Sequence, residues 1–146
     1  KEGVTVYISM ASMAASGGYW LSANADQIFA LPGTLTGSIG VVGGKVTIQE
    51  LAKKLDIKVE KVRYGENAGF WSIMEPFTPS QIERFEAMLD VTYDNFITLV
   101  SEGRNMTYDA AEHLAKGRVW TGQQALERNL VDGLGGIGTT LDILAL

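Results

Sequence analysis

The chain has 146 residues, of which 46% are hydrophobic and 20% charged, with a formal net charge of −5, one histidine and no cysteine. This length suits one domain that can bury about 70% of its unfolded surface, whereas the acidic balance argues against nucleic acid as a partner. The lack of cysteine excludes a disulfide framework and a conventional zinc site, so we predict no metal and no cofactor.

Alternating strand and helix patterns predict an α/β fold with a mostly parallel sheet flanked by helices. In chain order, the predicted strands are Val4 to Ser9, Gln27 to Ala30, Ser38 to Val42 and Val59 to Tyr64. Helix starts are predicted at three capping boxes, which are Thr47 with Glu50, Thr78 with Gln81 and Thr121 with Gln124. The second of these opens the longest helix, from Pro79 to about Glu102, and Gly103 supplies its stop.

Two apolar surfaces have more than one interpretation. The stripe along the long helix, which includes Met88 and Phe96, is most simply core, and a subunit contact is the second interpretation. The loop from Gly65 to Phe77 carries Phe70, Trp71, Ile73 and Met74 without clear periodicity. It either folds back on its own domain or forms the wall of an apolar groove or a contact with a neighbour.

The run Met13 to Trp20, MAASGGYW, places the hydroxyl of Ser16 among small neighbours. Since a strand pattern precedes Ser16 and a helix pattern follows it, we expect this serine at a strand-to-helix turn, which is the geometry of an elbow nucleophile. The N–H of Gly17 is then placed to face a developing oxyanion. The alternative is a tight turn that needs small residues for packing alone.

The other candidate bases and glycine-rich segments are weaker. His113 lies on the outward side of a short helix pattern, so we expect an exposed imidazole rather than a general base. Lys45 is the lysine nearest in sequence to Ser38 and is more simply a surface side chain than a base. The segment Gly133 to Gly138 matches G-x-G-x-x-G, but only eight residues follow it, so a dinucleotide site is excluded.

Five blocks, taken in order, carry a resemblance to a known family. They are MAASGGYW from Met13, ADQIFA from Ala25, TGSIGV from Thr36, GRVWTGQQA from Gly117 and LVD from Leu130. Together they closely resemble the signal peptide peptidase A family, serine proteases also called protease IV, over nearly the whole chain. The resemblance implies a ClpP/crotonase-like fold, with residues 1–146 as a single domain.

The resemblance also implies roles for particular residues. Ser16 matches the family nucleophile, Gly17 the oxyanion N–H, and Ser38 a serine that orients the lysine base. Short-form members supply that lysine from the same domain, but Ala68 stands in the corresponding position, and residues 65–103 contain no lysine. The chain therefore resembles the carboxy-terminal half of the long form, in which the amino-terminal half donates the lysine.

The implied activity is a serine endopeptidase that cleaves hydrophobic peptides, such as signal-peptide remnants, through an acyl-enzyme. The implied partners are the lysine-bearing amino-terminal half or another subunit of a homo-oligomer, at a bacterial inner membrane or a thylakoid membrane. The chain opens at Lys1 without Met and has no apolar run of about 18 residues, so we expect a fragment whose membrane anchor lies elsewhere.

Two rival functions remain at this point. The first is a crotonase-type acyl-CoA enzyme, which shares the implied fold and does not need Ser16. The second is a non-catalytic or phage capsid-associated relative that keeps the serine motif for packing.

Overall fold

The computed structural model describes residues 3–145 as two compact units. The first unit comprises the described residues of Lys1–Val41 and Thr92–Leu146, and the second unit is Val42–Val91. The single domain over residues 1–146 stays a prediction.

Short strands alternate with helices along the described chain. The strands are β1 (Tyr7–Met10), β2 (Met13–Ala15), β3 (Gln27–Ala30), β4 (Leu35–Gly37), β5 (Val119–Thr121) and β6 (Gly133–Leu134). The helices are α1 (Gly17–Ser22), α2 (Gln49–Lys54), α3 (Pro79–Gly103), α4 (Tyr108–Leu114), α5 (Gly122–Leu126) and α6 (Ile137–Leu144).

The strands of the first unit form two three-stranded sheets. In one sheet, β3 lies between β1 and β6, and both pairings are parallel. In the other sheet, β4 lies between β2 and β5, parallel to β2 and antiparallel to β5. The predicted α/β fold with mostly parallel strands is therefore confirmed.

The core of the first unit lies between these sheets and the helices that pack on them. Phe96, Ile97 and Val100 of α3 are fully buried there, and the Trp20 ring centroid lies 4.4 Å from that of Phe96. The core interpretation of the long-helix stripe is confirmed for this part of α3. Met88 stays 47% exposed, so a subunit contact remains the interpretation for its part of the stripe.

Two of the three predicted capping boxes are confirmed. At Thr78 and Gln81, the backbone N–H of each residue donates to the side-chain oxygen of the other, at 3.1 and 3.3 Å. Thr121 and Gln124 do the same at the start of α5. The box at Thr47 is wrong, because α2 begins later and has Ile48 as its N-cap, whose N–H donates to the carbonyl of Ile73.

Three of the four predicted strands need correction. The predicted Val4 to Ser9 begins too early, since the ladder starts at Tyr7 and the Val6 N–H donates to the Asp26 carboxylate instead. The predicted Ser38 to Val42 is wrong, since Ser38 has φ 48° and ends the extended run of β4. The predicted Val59 to Tyr64 has no strand partner and no backbone–backbone hydrogen bond among the described residues.

The second unit contains α2 and a cluster of four aromatic rings. The centroid of Phe70 lies 5.1 Å from those of Trp71 and Phe77, and Phe77 stacks on Phe85 at 5.2 Å. The loop from Gly65 to Phe77 thus folds back on its own unit, as the first interpretation expects. Trp71 nevertheless stays 60% exposed.

Candidate active site

Ser16 lies in the turn between β2 and α1, in a backbone conformation that residues other than glycine rarely adopt. Its φ is 51° and its ψ −116°, and its side chain is exposed. The Ser16 N–H donates to the carbonyl of Gly37, and the Trp20 N–H donates to the carbonyl of Ser16, both at 2.8 Å. A non-glycine residue at positive φ costs on the order of 1–3 kcal/mol, and such strain concentrates at functional turns.

The residues after Ser16 leave its hydroxyl open to approach. A Cβ added at Gly17 would meet no atom within 4 Å, and one added at Gly18 would meet only the Ala14 Cβ, at 3.8 Å. Gly17 is the first residue of α1, where helix geometry gives the N–H no acceptor within the helix. The small residues therefore expose both the hydroxyl and the next N–H at one turn.

Ser38 lies beside Ser16 at the same edge of the sheet. Ala15 pairs with Gly37 in the parallel ladder of β2 and β4, whose strands lie about 4.8 Å apart, so Ser16 and Ser38 each come directly after one member of a paired couple. Ser38 has φ 48°, and its N–H donates to the carbonyl of Arg118 at 2.7 Å. The structure thus brings together the three residues that the sequence singled out.

The helix that follows Ser16 is anchored by a tyrosine for which the sequence predicts no role. Tyr19 is fully buried, and its phenol donates to the carbonyl of Leu130 at 2.8 Å. Burial raises the pKa of Tyr19 far above its ordinary value, so the phenol keeps its proton and acts as a donor. The only sign of this role in the sequence is that Tyr19 lies within the MAASGGYW run that contains Ser16.

The candidate bases from the sequence lie in other environments. His113 is exposed, as predicted, and its backbone carbonyl accepts a hydrogen bond from Arg118. The ammonium of Lys45, in the second unit, donates to the carbonyl of Phe70 at 2.8 Å and lies 4.2 Å above the Phe77 ring. Both contacts hold the Lys45 ammonium within the second unit.

Two features of residues 3–145 concern metals and membranes. No group of three or more His, Cys, Asp or Glu side chains is placed to hold a metal ion there. No helix of that range has the length and apolar character needed to cross a membrane.

A serine held at positive φ between a parallel strand and a helix gives this α/β protein the backbone geometry of an elbow turn. Comparison with known proteins gives the family. Residues 1–145 match the model of peptidase family S49, a family of serine peptidases, and the chain belongs to that family. The resemblance stated from the sequence is confirmed.

Three similar proteins carry peptidase names. The chain is 37% identical to Protease 4 of Haemophilus influenzae over 92% of its length, and 38% identical to Protease 4 of Salmonella typhi over 91%. It is 38% identical to the chloroplastic serine protease SPPA of Arabidopsis thaliana over 94%. The chain spans only 22%, 21% and 20% of these three proteins, respectively.

Proposed function

We propose that this chain is the serine-bearing catalytic domain of a serine endopeptidase that cleaves hydrophobic peptides, such as signal-peptide remnants, with a Ser–Lys dyad. The observation that carries the proposal is the exposed, strained Ser16 at the β2–α1 turn. Membership of family S49 and the names of the relatives support it.

In the proposed reaction, the Ser16 Oγ attacks the carbonyl carbon of the scissile peptide, and its proton passes to a neutral lysine amine. The oxygen of the tetrahedral intermediate accepts a hydrogen bond from the Gly17 N–H. The amine then protonates the leaving nitrogen, and water hydrolyses the acyl-enzyme ester on Ser16. Ser38, beside Ser16, orients the lysine.

The lysine comes from outside this chain. A lysine with a pKa of about 10.4 needs roughly 4.6 kcal/mol of desolvation or charge repulsion to reach a pKa of about 7, so a catalytic lysine must be buried. No lysine within residues 3–145 is buried. In the described part of the first unit the single lysine is Lys116, whose side chain is 57% exposed and lies 3.5 Å from Glu112.

The proposed source of the base is a lysine-bearing amino-terminal half or another subunit of a homo-oligomer. We further propose that the assembled protein lies at a membrane, either a bacterial inner membrane or a thylakoid membrane. The chloroplastic name of the Arabidopsis thaliana relative agrees with a plastid location, and the relatives from Haemophilus influenzae and Salmonella typhi agree with a bacterial one.

The test is hydrolysis of a fluorogenic apolar peptide by the full-length protein and two serine variants. Ser16→Ala should lower kcat by about 10³-fold or more, because it removes the nucleophile. Ser12→Ala, at an exposed serine four residues earlier, is the matched control and should keep the activity. Turnover that survives Ser16→Ala overturns the proposal and favours a crotonase-type chemistry, which uses backbone N–H groups alone.

A further inference from the structure

Arg104, near the end of α3, is fixed by three hydrogen bonds to a turn at residues 129–132. Its Nε donates to the carbonyl of Asn129 at 2.9 Å, and its two terminal nitrogens donate to the two carboxylate oxygens of Asp132 at 3.1 and 2.5 Å. The Arg104 side chain is only 7% exposed. One guanidinium thus joins both ends of the turn.

The Asp132 carboxylate also ties this turn to the parallel sheet. One of its oxygens accepts the Ile28 N–H at 2.7 Å, and the Asp132 N–H donates to the carbonyl of Ile28 at 2.8 Å. Asn129, at the other end of the turn, has φ 56°, a left-handed conformation that asparagine tolerates. The turn is therefore held by the sheet and by Arg104 together.

The carbonyl that receives the Tyr19 phenol lies inside this turn, at Leu130. Tyr19 belongs to the first turn of α1, three residues after Ser16, and the Trp20 N–H closes that turn on the Ser16 carbonyl. The Leu130 carbonyl is therefore connected to Ser16 through the Tyr19 side chain and one helical turn.

We propose that Arg104 is a positioning residue for Ser16, acting through Asp132, the Leu130 carbonyl and the Tyr19 phenol. These contacts from Arg104 to Tyr19 are called the relay. The proposal rests on the proposed role of Ser16 as nucleophile. The planar guanidinium of Arg104 directs three N–H donors at three fixed acceptors, and the single ammonium group of a lysine cannot reproduce these directions. Arginine is needed at residue 104 for geometry as well as for charge.

The test uses the labelling kinetics of Ser16 by a fluorophosphonate in the full-length protein, with Arg104→Lys and Tyr19→Phe as variants. Arg104→Lys keeps the charge, so it avoids leaving the Asp132 carboxylate without a cation. The control is Ile97→Val, a mild core truncation on α3 that removes none of the hydrogen bonds that link Arg104, Asp132, Leu130 and Tyr19.

We expect both relay variants to lower the maximal labelling rate by about 10- to 100-fold, with the probe concentration at half-maximal rate unchanged, because the nucleophile is displaced while the probe contacts remain. Ile97→Val should stay within about twofold of the wild type. Relay variants that label at the wild-type rate, or that slow only in proportion to their loss of stability as Ile97→Val does, overturn the positioning role.

A second readout separates this inference from the proposed function. If the wild-type protein is not labelled, the nucleophile assignment fails, and hydrogen exchange of the Trp20 amide still tests the relay. That amide should exchange faster in Arg104→Lys and Tyr19→Phe than in Ile97→Val at matched global stability. Equal exchange in all three variants overturns the relay.

Discussion

Replacing Ser16 with glycine should stabilise the fold relative to replacing it with alanine. Both changes remove the hydroxyl, but only glycine adopts φ 51° and ψ −116° without steric cost. Relief of about 1–3 kcal/mol of strain, less about 0.5–1 kcal/mol for the greater freedom of glycine in the unfolded chain, leaves a net gain of about 0–2.5 kcal/mol. Urea denaturation of the two variants gives this difference directly.

The same pair of changes at Ser12 is the control. Ser12 is exposed and has no positive φ, so glycine there should be less stable than alanine by about 0.4–1 kcal/mol. The order of stability should therefore be opposite at the two serines. A Ser16→Gly protein that is less stable than Ser16→Ala would show that the turn at Ser16 holds no strain.

Three further outcomes follow from contacts in the described residues. Gly122→Ala should destabilise the fold by about 1–3 kcal/mol or more in urea denaturation, since a Cβ there would overlap the carbonyl oxygen of Leu31. The hydrogen bond from Lys61, with a second from Arg63, lowers the pKa of Glu75. The Glu75 carboxylate should therefore stabilise the fold above a pH of about 4.3, and this stabilisation should fade as the pH falls further. Melting curves of the wild type and of Glu75→Gln, recorded over a series of pH values, measure the difference. Lys45→Met should leave Ser16 labelling of the full-length protein unchanged, because the ammonium is held by the Phe70 carbonyl.

The parts of the fold that the sequence predicts are those with local signals. Thr78 with Gln81 marks the start of α3 through contacts within one turn, and Thr121 with Gln124 marks the start of α5 in the same way. The strand-to-helix turn at Ser16 is likewise predicted by the residues on either side of it. Each of these features forms from side chains within a few positions of one another.

The features that the sequence does not reveal depend on residues far apart in the chain. β6 is two residues long and exists because Phe29 and Ala30 pair with Gly133 and Leu134. The contacts of Arg104 with the turn at residues 129–132 span 25 and 28 positions and have no local pattern. The pattern at Val59 to Tyr64 is typical of a strand, yet no described strand pairs with it.

Whether Ser16 is the nucleophile can be measured by intact-mass analysis after fluorophosphonate treatment of the full-length protein, its Ser16→Ala variant and residues 1–146 alone. We expect one adduct, mapped to Ser16, in the full-length protein and none in the other two samples. An unlabelled full-length protein, or an adduct at another residue, would contradict the nucleophile. Equal labelling of residues 1–146 alone would contradict an external base and make Lys45 the first candidate.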